Sequence, residues 1–242
     1  MRIDIITIFP QMIEAYINES IIKRAYQDEK VEINVINLRN YSQMKHHQVD
    51  DTPYGGGSGM LMMFPPFYRA IKDLNKDNQA TIIMTSPKGK TYNQKIAREY
   101  SKLNHIIILC GHYEGIDHRV YEFVDEEVSV GDYILTGGEL AALILTDSIT
   151  RLLDGVITED SHLEESFEKG LLEHPHYTKP QEYEGYQVPD VLLSGHHENI
   201  RKWRHEMALK ETFKKRPDLL ESYPLTKSDK QLIESLKEDT ND

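Results

Sequence analysis

The sequence predicts an α/β protein: a mostly parallel sheet with helices on both faces, followed by a small C-terminal helical domain. Three observations carry this reading. Over the first 155 residues short apolar runs alternate with stretches of helical periodicity. Several runs are apolar throughout rather than at every second position, as strands covered on both faces are. Beyond residue 156 the periodicity lapses until two helical stretches near the end. The expected organisation is an α/β domain over 1–158, a linker over 159–173 and a helical domain over 174–242.

The elements follow in order. "RIDIITIF" reads as a strand, and "PQMIEAYINESIIKRAYQDEK" as one helix with apolar residues at helical spacing. "VEINVINL" alternates at period two. A long glycine-bearing loop leads to the helix "PPFYRAIKDL", whose prolines stand at its start, where a missing N–H costs least. Strand "ATIIMTS", helix "NQKIAREYSKL" and strand "HIIILCG" come next, then a short helix "GIDHRVYEFV" and the strand end "EEVSVG". A helix over 139–154 is expected to close at Gly155. It is apolar over most of its circumference, which predicts burial on all sides and a homodimer sealed in part by this region. In the C-terminal part, helices are expected over 197–215 and about 227–238.

Composition narrows the function classes. The chain has 242 residues, 28% of them charged, and a net charge of −12, so it is not a protein that coats nucleic acid indiscriminately. With no run of 18 apolar residues and no signal-peptide pattern at the start, a soluble cytoplasmic protein without membrane association is expected. The single cysteine, Cys110, excludes an intramolecular disulfide and reads as a core residue. Charge is unevenly spread. Residues 196–217 hold seven Lys or Arg against three Glu, whereas 159–173 hold six acids against one lysine. One basic element on an acidic body suits contact with a polyanion at a chosen place, and equally a solvated helix face.

Glycine marks the candidate site. "MTSPKG" (84–89) and "CGHYEG" (110–115) each follow a strand, and "VGDYILTGGEL" (130–140) leads into the long helix. Loops beyond the carboxyl ends of strands are where open α/β sheets bind ligands, and glycine lets backbone approach closely. On spacing alone, three ordinary tight turns fit as well. No phosphate-binding or dinucleotide fingerprint is present in them. The loop "KHHQVDDTPYGGGSGMLMM" (45–63) is too long and too small in its residues to be core. The histidine pairs lack metal-ligand spacing, so no metal site is expected.

Together "PYGGGSGM", "CGHYEGIDHRV", "SVGDYILTGGELAAL", "GLLEHPHYTKP" and "VLLSGHHENIRKWR" resemble, in order and over nearly the whole chain, the bacterial tRNA (guanine-N1)-methyltransferases of the SPOUT class. The resemblance implies methyl transfer from S-adenosyl-L-methionine to N1 of the guanine just 3′ of the anticodon, position 37 of tRNA. It also implies a deep trefoil knot, which chain topology alone argues against. A methyltransferase acting on another RNA such as rRNA, or a non-catalytic RNA-binding relative, are the alternatives.

Carried over residue by residue, the resemblance places the cofactor against Met84, Thr85, Ser86 and Pro87, then Gly111 and Glu114. The third strip is Val130, Gly131, Asp132, Tyr133, Ile134 and Leu135, with Gly137 and Gly138 allowing close approach. Glu114 would meet the cofactor's positive end. Arg151 matches the arginine acting on the guanine, and Asp50, Gly55, Gly56 and Gly57 the tRNA-side wall. Arg201, Lys202, Arg204, Lys214, Lys215 and Arg216 are expected to meet phosphates, with Trp203 in the core. The family's base is an aspartate before "SF"; this chain has Glu165 there, with Asp160 and Glu164 as neighbours able to serve. Nothing in the sequence bears on a Mg²⁺ requirement.

Overall fold

Strand residues divide by parity between two cores. In β6 (His105–Cys110) Ile106, Ile108 and Cys110 enter one apolar cluster, while Ile107 and Leu109 enter the other. The same division separates Ile3 and Ile5 from Ile6 in β1 (Arg2–Thr7), and Ile83 from Ile82 and Met84 in β5 (Thr81–Thr91). Period-two side chains on a sheet covered on both faces require this, and it is why these strands read as continuous apolar runs.

The computed structural model describes residues 1–158 and 165–240. They fall into two compact units, Met1–Thr158 and Glu159–Asp242. In the first, five parallel strands pair in the order β2-β1-β6-β5-β7, with β2 at Glu32–Asn37 and β7 at Glu126–Ser129. One face is covered by α1 (Pro10–Ile17), α2 (Ser20–Gln27), α4 (Gln94–Tyr100) and α5 (Glu139–Thr150). The other is covered by α3 (Phe64–Leu74) and a 3₁₀ turn at His118–Phe123. Two short strands, β3 (Asp50–Asp51) and β4 (Leu61–Met62), make an antiparallel ladder that turns the glycine-rich loop into a hairpin.

Three sequence expectations need correction. The helix expected over 10–30 is two helices, because Asn18 caps α1 by bonding Glu14 O and Ser20 takes a φ of 54°. The long helix ends at Thr150 rather than 154, and Gly155, at φ +77°, serves a later turn. Nor is that helix buried all round: Leu140 and Ile144 are 50% and 44% exposed.

In the second unit, helix His197–Lys215 packs on helix Lys227–Thr240 around Leu209, Ile233 and Leu171. Trp203 is half-buried beside the rings of His174 and Tyr177 rather than in that core. Burial opposes ionisation of Asp229, but hydrogen bonds from Thr226 and His205 outweigh it and hold the carboxyl below its ordinary range.

A fully buried Asp4 ties three strands together at their N-terminal ends. It accepts from Arg2 Nε at 3.0 Å and Asn34 Nδ2 at 2.9 Å, and meets His105 Nε2 at 2.9 Å. Removing the acceptor strands its partners, so Asp4→Ala should cost about 2–3 kcal/mol. The urea midpoint measures this, and a loss below about 0.5 kcal/mol would contradict the role.

Candidate functional site

The glycine-bearing segments converge at the carboxyl ends of β5, β6 and β7 and enclose a cleft of about 340 Å³. That is within the range of small-molecule sites, roughly 300–1,000 Å³. Met84, Thr85, Ser86, Pro87 and Lys88 form the first wall, Gly111 to Ile116 the second, and Val128 to Gly131 with Tyr133 to Gly138 the third. Of the expected cofactor residues only Asp132, which is exposed, lies outside this lining.

Each wall has a local cause. In β5 the register with β7 breaks: Val128 pairs with both Thr85 and Lys90, so residues 86–89 are looped out between. Gly89 is obligatory there, because a Cβ would lie 2.4 Å from the backbone of Glu127 and Val128. The second wall carries strain at Tyr113, whose φ is 59°, and turns back through Gly115 N–H to His112 O at 3.1 Å. In the third, Gly131 has a φ of +146° and lies under the Tyr133 ring. Tyr133 is half exposed, with its hydroxyl donating to Val130 O at 3.2 Å.

The second and third walls are joined through main chain. Gly138 N–H donates to Gly111 O at 2.8 Å, and His112 and Gly137 form an isolated antiparallel bridge. The reason for Gly138 differs from the one expected. A Cβ there would stand 2.1 Å from Thr85 Oγ1 and 2.9 Å from Cys110 Cα, so the clash is with the protein's own strand ends. The glycine shapes the cleft by letting α5 begin against the sheet.

The hairpin loop docks on the second wall. Glu114 N–H donates to Met60 O at 3.0 Å, and Met62 N–H to Gly115 O at 2.9 Å. The Glu114 side chain fills the place of a Cβ on Gly59, at 2.5 Å. Gly55, Gly56 and Gly57 are exposed at positive φ, and Asp50 is half-buried in β3. Cys110 is fully buried, and that burial pushes its thiol up, well away from nucleophilic use.

The other expected residues are not among those that line the cleft. Arg151 is half-buried at the C-terminal end of α5. Glu165 is half-buried in the second unit, and Asp160 and Glu164 lie outside the described residues. Arg201, Lys202, Arg204 and Lys214 are exposed on helix His197–Lys215. The last two cations of that group are already paired: Lys215 with Glu211, and Arg216 with Asp218 through two bonds of 2.9 and 2.7 Å. The Arg216 guanidinium holds the Asp218 carboxyl below its usual range.

Sequence reasoning missed several lining residues, among them Lys88, His112, Tyr113, Tyr121, Ser129 and Thr136. His112 and Tyr113 stood inside a quoted motif, "CGHYEG", and were legible as neighbours of Gly111 and Glu114.

A parallel sheet with a loop-lined cleft at its strand ends, in series with a helical unit bearing a basic stretch, defines a ligand-binding α/β protein. The chain belongs to the family described as tRNA (Guanine-1)-methyltransferase TrmD, whose model matches residues 1–222. A tRNA (guanine-N(1)-)-methyltransferase from Macrococcus caseolyticus (strain JCSC5402) is 52% identical over 99% of this chain and 100% of its own length. Proteins of the same name from Staphylococcus aureus (strain MRSA252) and Dictyoglomus turgidum (strain DSM 6724 / Z-1310) are each 51% identical, covering 98% and 99% of this chain and 98% of their own lengths.

The packing at Gly138 gives a test. Gly138→Ala forces its Cβ into Thr85 Oγ1 and the Cys110 backbone, an overpacking worth about 1–3 kcal/mol. Gly138→Ala combined with Thr85→Ala should recover part of the loss in thermal melting. Unaltered melting in the single variant would contradict the close approach.

Proposed function

We propose that the protein transfers a methyl group from S-adenosyl-L-methionine to N1 of the guanine at position 37, just 3′ of the anticodon of tRNA. The observation that carries this is the cleft, built from three backbone-rich segments, in a chain of this family. Its walls suit an adenosyl ligand, which needs peptide N–H and C=O partners and no phosphate cradle. Met84 to Pro87, Gly111, Val130, Gly131 and Tyr133 to Leu135 would hold it, with Glu114 offering a carboxylate to its cationic end. When bound, the cofactor supplies an electrophilic methyl group on sulfonium sulfur that needs no activation by the protein.

The work left to the chain is proton removal and placement. Guanine N1 carries a proton at neutral pH, and its lone pair is free only once that proton leaves. We assign the proton to a carboxylate oxygen of Glu165, and to Arg151 the stabilisation of negative charge that develops on guanine O6. An ordinary glutamate, near about 4.3, is a weak base for this proton; burial or neighbouring acids raise it. Six acids stand within 159–173. Glutamate is one methylene longer than the family's aspartate, which the backbone of this stretch must absorb.

Two assemblies complete the reading. A homodimer is supported by an apolar face on the first unit. Phe9, Met12, Tyr16, Leu140 and Ile144 are each 41–50% exposed. Tyr16 donates to Asp147 at 2.6 Å, a bond that raises the phenol to about 12. The knotted path is carried by membership of the family alone. Among the described residues no helix is long and apolar enough to cross a membrane. The reading places the work on tRNA in the cytoplasm.

Labelled methyl transfer to an unmodified tRNA transcript, with mapping of the base, tests the function. Product at N1 of guanine 37 is expected; label only in ribosomal RNA would favour the alternative substrate. Glu165→Gln should lower the single-turnover rate by about 10²-fold or more with tRNA and cofactor affinities held. A near-normal rate would move the base to Asp160 or Glu164.

The basic helix and the apolar face each have a test. Reversing Arg201, Lys202 and Arg204 to Glu should weaken tRNA binding at least about tenfold and flatten its salt dependence. Arg216→Glu should do less, because Asp218 already holds that guanidinium. Equal effects, or none, would return the stretch to solvated surface. Light scattering at micromolar protein should give twice the chain mass, and Leu140→Lys with Ile144→Asp should halve it. A monomer mass for the unaltered protein would reject the dimer.

A further inference from the structure

A chain of polar groups that this reaction does not use runs from the sheet to the cleft. The Glu139 carboxylate is 1% exposed, although Glu139 is the first residue of α5, where an acid ordinarily faces water. Its Oε1 accepts the hydroxyl of fully buried Thr7 at 2.7 Å, and the Thr7 oxygen accepts Phe9 N–H at 2.9 Å. Its Oε2 faces His112 Nε2 at 3.6 Å, an ion-pair distance rather than a hydrogen bond. Phe9 packs edge-on against the imidazole, with ring centroids 4.9 Å apart.

Both groups close over Gly137. A Cβ there would lie 2.3 Å from His112 Nε2 and 2.4 Å from Glu139 Oε2. Burying a carboxylate is costly unless partners surround it, and here Thr7 comes from β1 and His112 from the loop after β6. Its influence reaches Cys110, where it adds to the larger effect of burial in raising the thiol. His112 itself lines the cleft.

We propose that Glu139 and His112 form one positioning pair for the methyl donor. The carboxylate, fixed by Thr7, orients the imidazole and so sets the spacing between the Gly111–Glu114 and Thr136–Gly138 walls. The main-chain links between these walls pin them at residues 111–112 and 137–138; the pair adds a side-chain strut to β1. A ligand inserted between preset walls loses less in ordering them. This inference rests on the cleft's being the S-adenosyl-L-methionine site.

The test is calorimetric titration of S-adenosyl-L-methionine into the full-length protein and four variants. Glu139→Gln keeps an acceptor for Thr7 and removes the charge. His112→Ala removes the ring, His112→Gln keeps a donor near the Nε2 position, and the fourth variant combines Glu139→Gln with His112→Ala. Each of the first two should raise Kd about tenfold. The double variant should also lose about tenfold, not the roughly hundredfold of independent sites. His112→Gln should bind within about threefold of the unaltered protein, and tRNA affinity without cofactor should hold.

A merely structural role predicts lower melting temperatures with unchanged Kd in the folded variants. That result, or additive losses, overturns the proposal. Should Glu139→Gln fail to fold, His112→Ala and His112→Gln decide: loss with rescue supports the pair, and no loss overturns it. Unaltered protein that binds no S-adenosyl-L-methionine refutes the cofactor reading and the pair with it. Variants that bind as the unaltered protein does refute the pair alone.

Discussion

Everything in the cleft depends on how closely α5 begins against the ends of β5 and β6. Gly138 leaves no room for a Cβ: Thr85 Oγ1 and the Cys110 and Gly111 backbone already occupy the place. Thr85 is fixed there by its own hydroxyl, which donates to Leu109 O at 3.1 Å. With Gly138 N–H bonded to Gly111 O, the strip 130–138 has to fold back over the sheet end before the helix begins. The looped-out residues 86–89 close the opposite side, held by the crossing of Gly89 on β7. Three walls therefore follow from two places where backbone meets backbone.

A cleft made this way presents peptide groups along much of its lining. In a chain of net charge −12, Lys88 is the one Lys or Arg among the described residues that line it. Seven Lys or Arg in 196–217 give the helical unit its local positive character. Within that stretch Arg216 and Lys215 are already committed to acids of their own unit. The cleft belongs to the first unit and the basic stretch to the second.

Much of the fold was legible because strands buried on both faces leave an unambiguous apolar signature, as in "HIIILC" and "TIIM". What misled were features decided by single residues in context. Asn18 breaks a stretch whose periodicity runs on, because its side chain caps the turn behind it. The cleft's glycines were legible as a group, yet the reason for Gly138 depends on Thr85, distant in sequence and adjacent only once folded. Glu139 reads as an exposed N-terminal acid in any helix pattern; only Thr7 and His112, brought there by β1 and the β6 loop, make its burial tolerable. Leu140 and Ile144 reached the surface because the sheet covers one side of α5 and the described residues leave those two positions exposed.

The most direct measurement of the central claim is hydrogen exchange of the free protein with and without S-adenosyl-L-methionine, resolved by peptide. If three backbone-rich segments jointly hold the methyl donor, amides in 84–88, 111–116 and 130–138 gain protection together, while helix His197–Lys215 is unchanged. Protection confined to other segments, or none in these three at saturating ligand, would contradict the account.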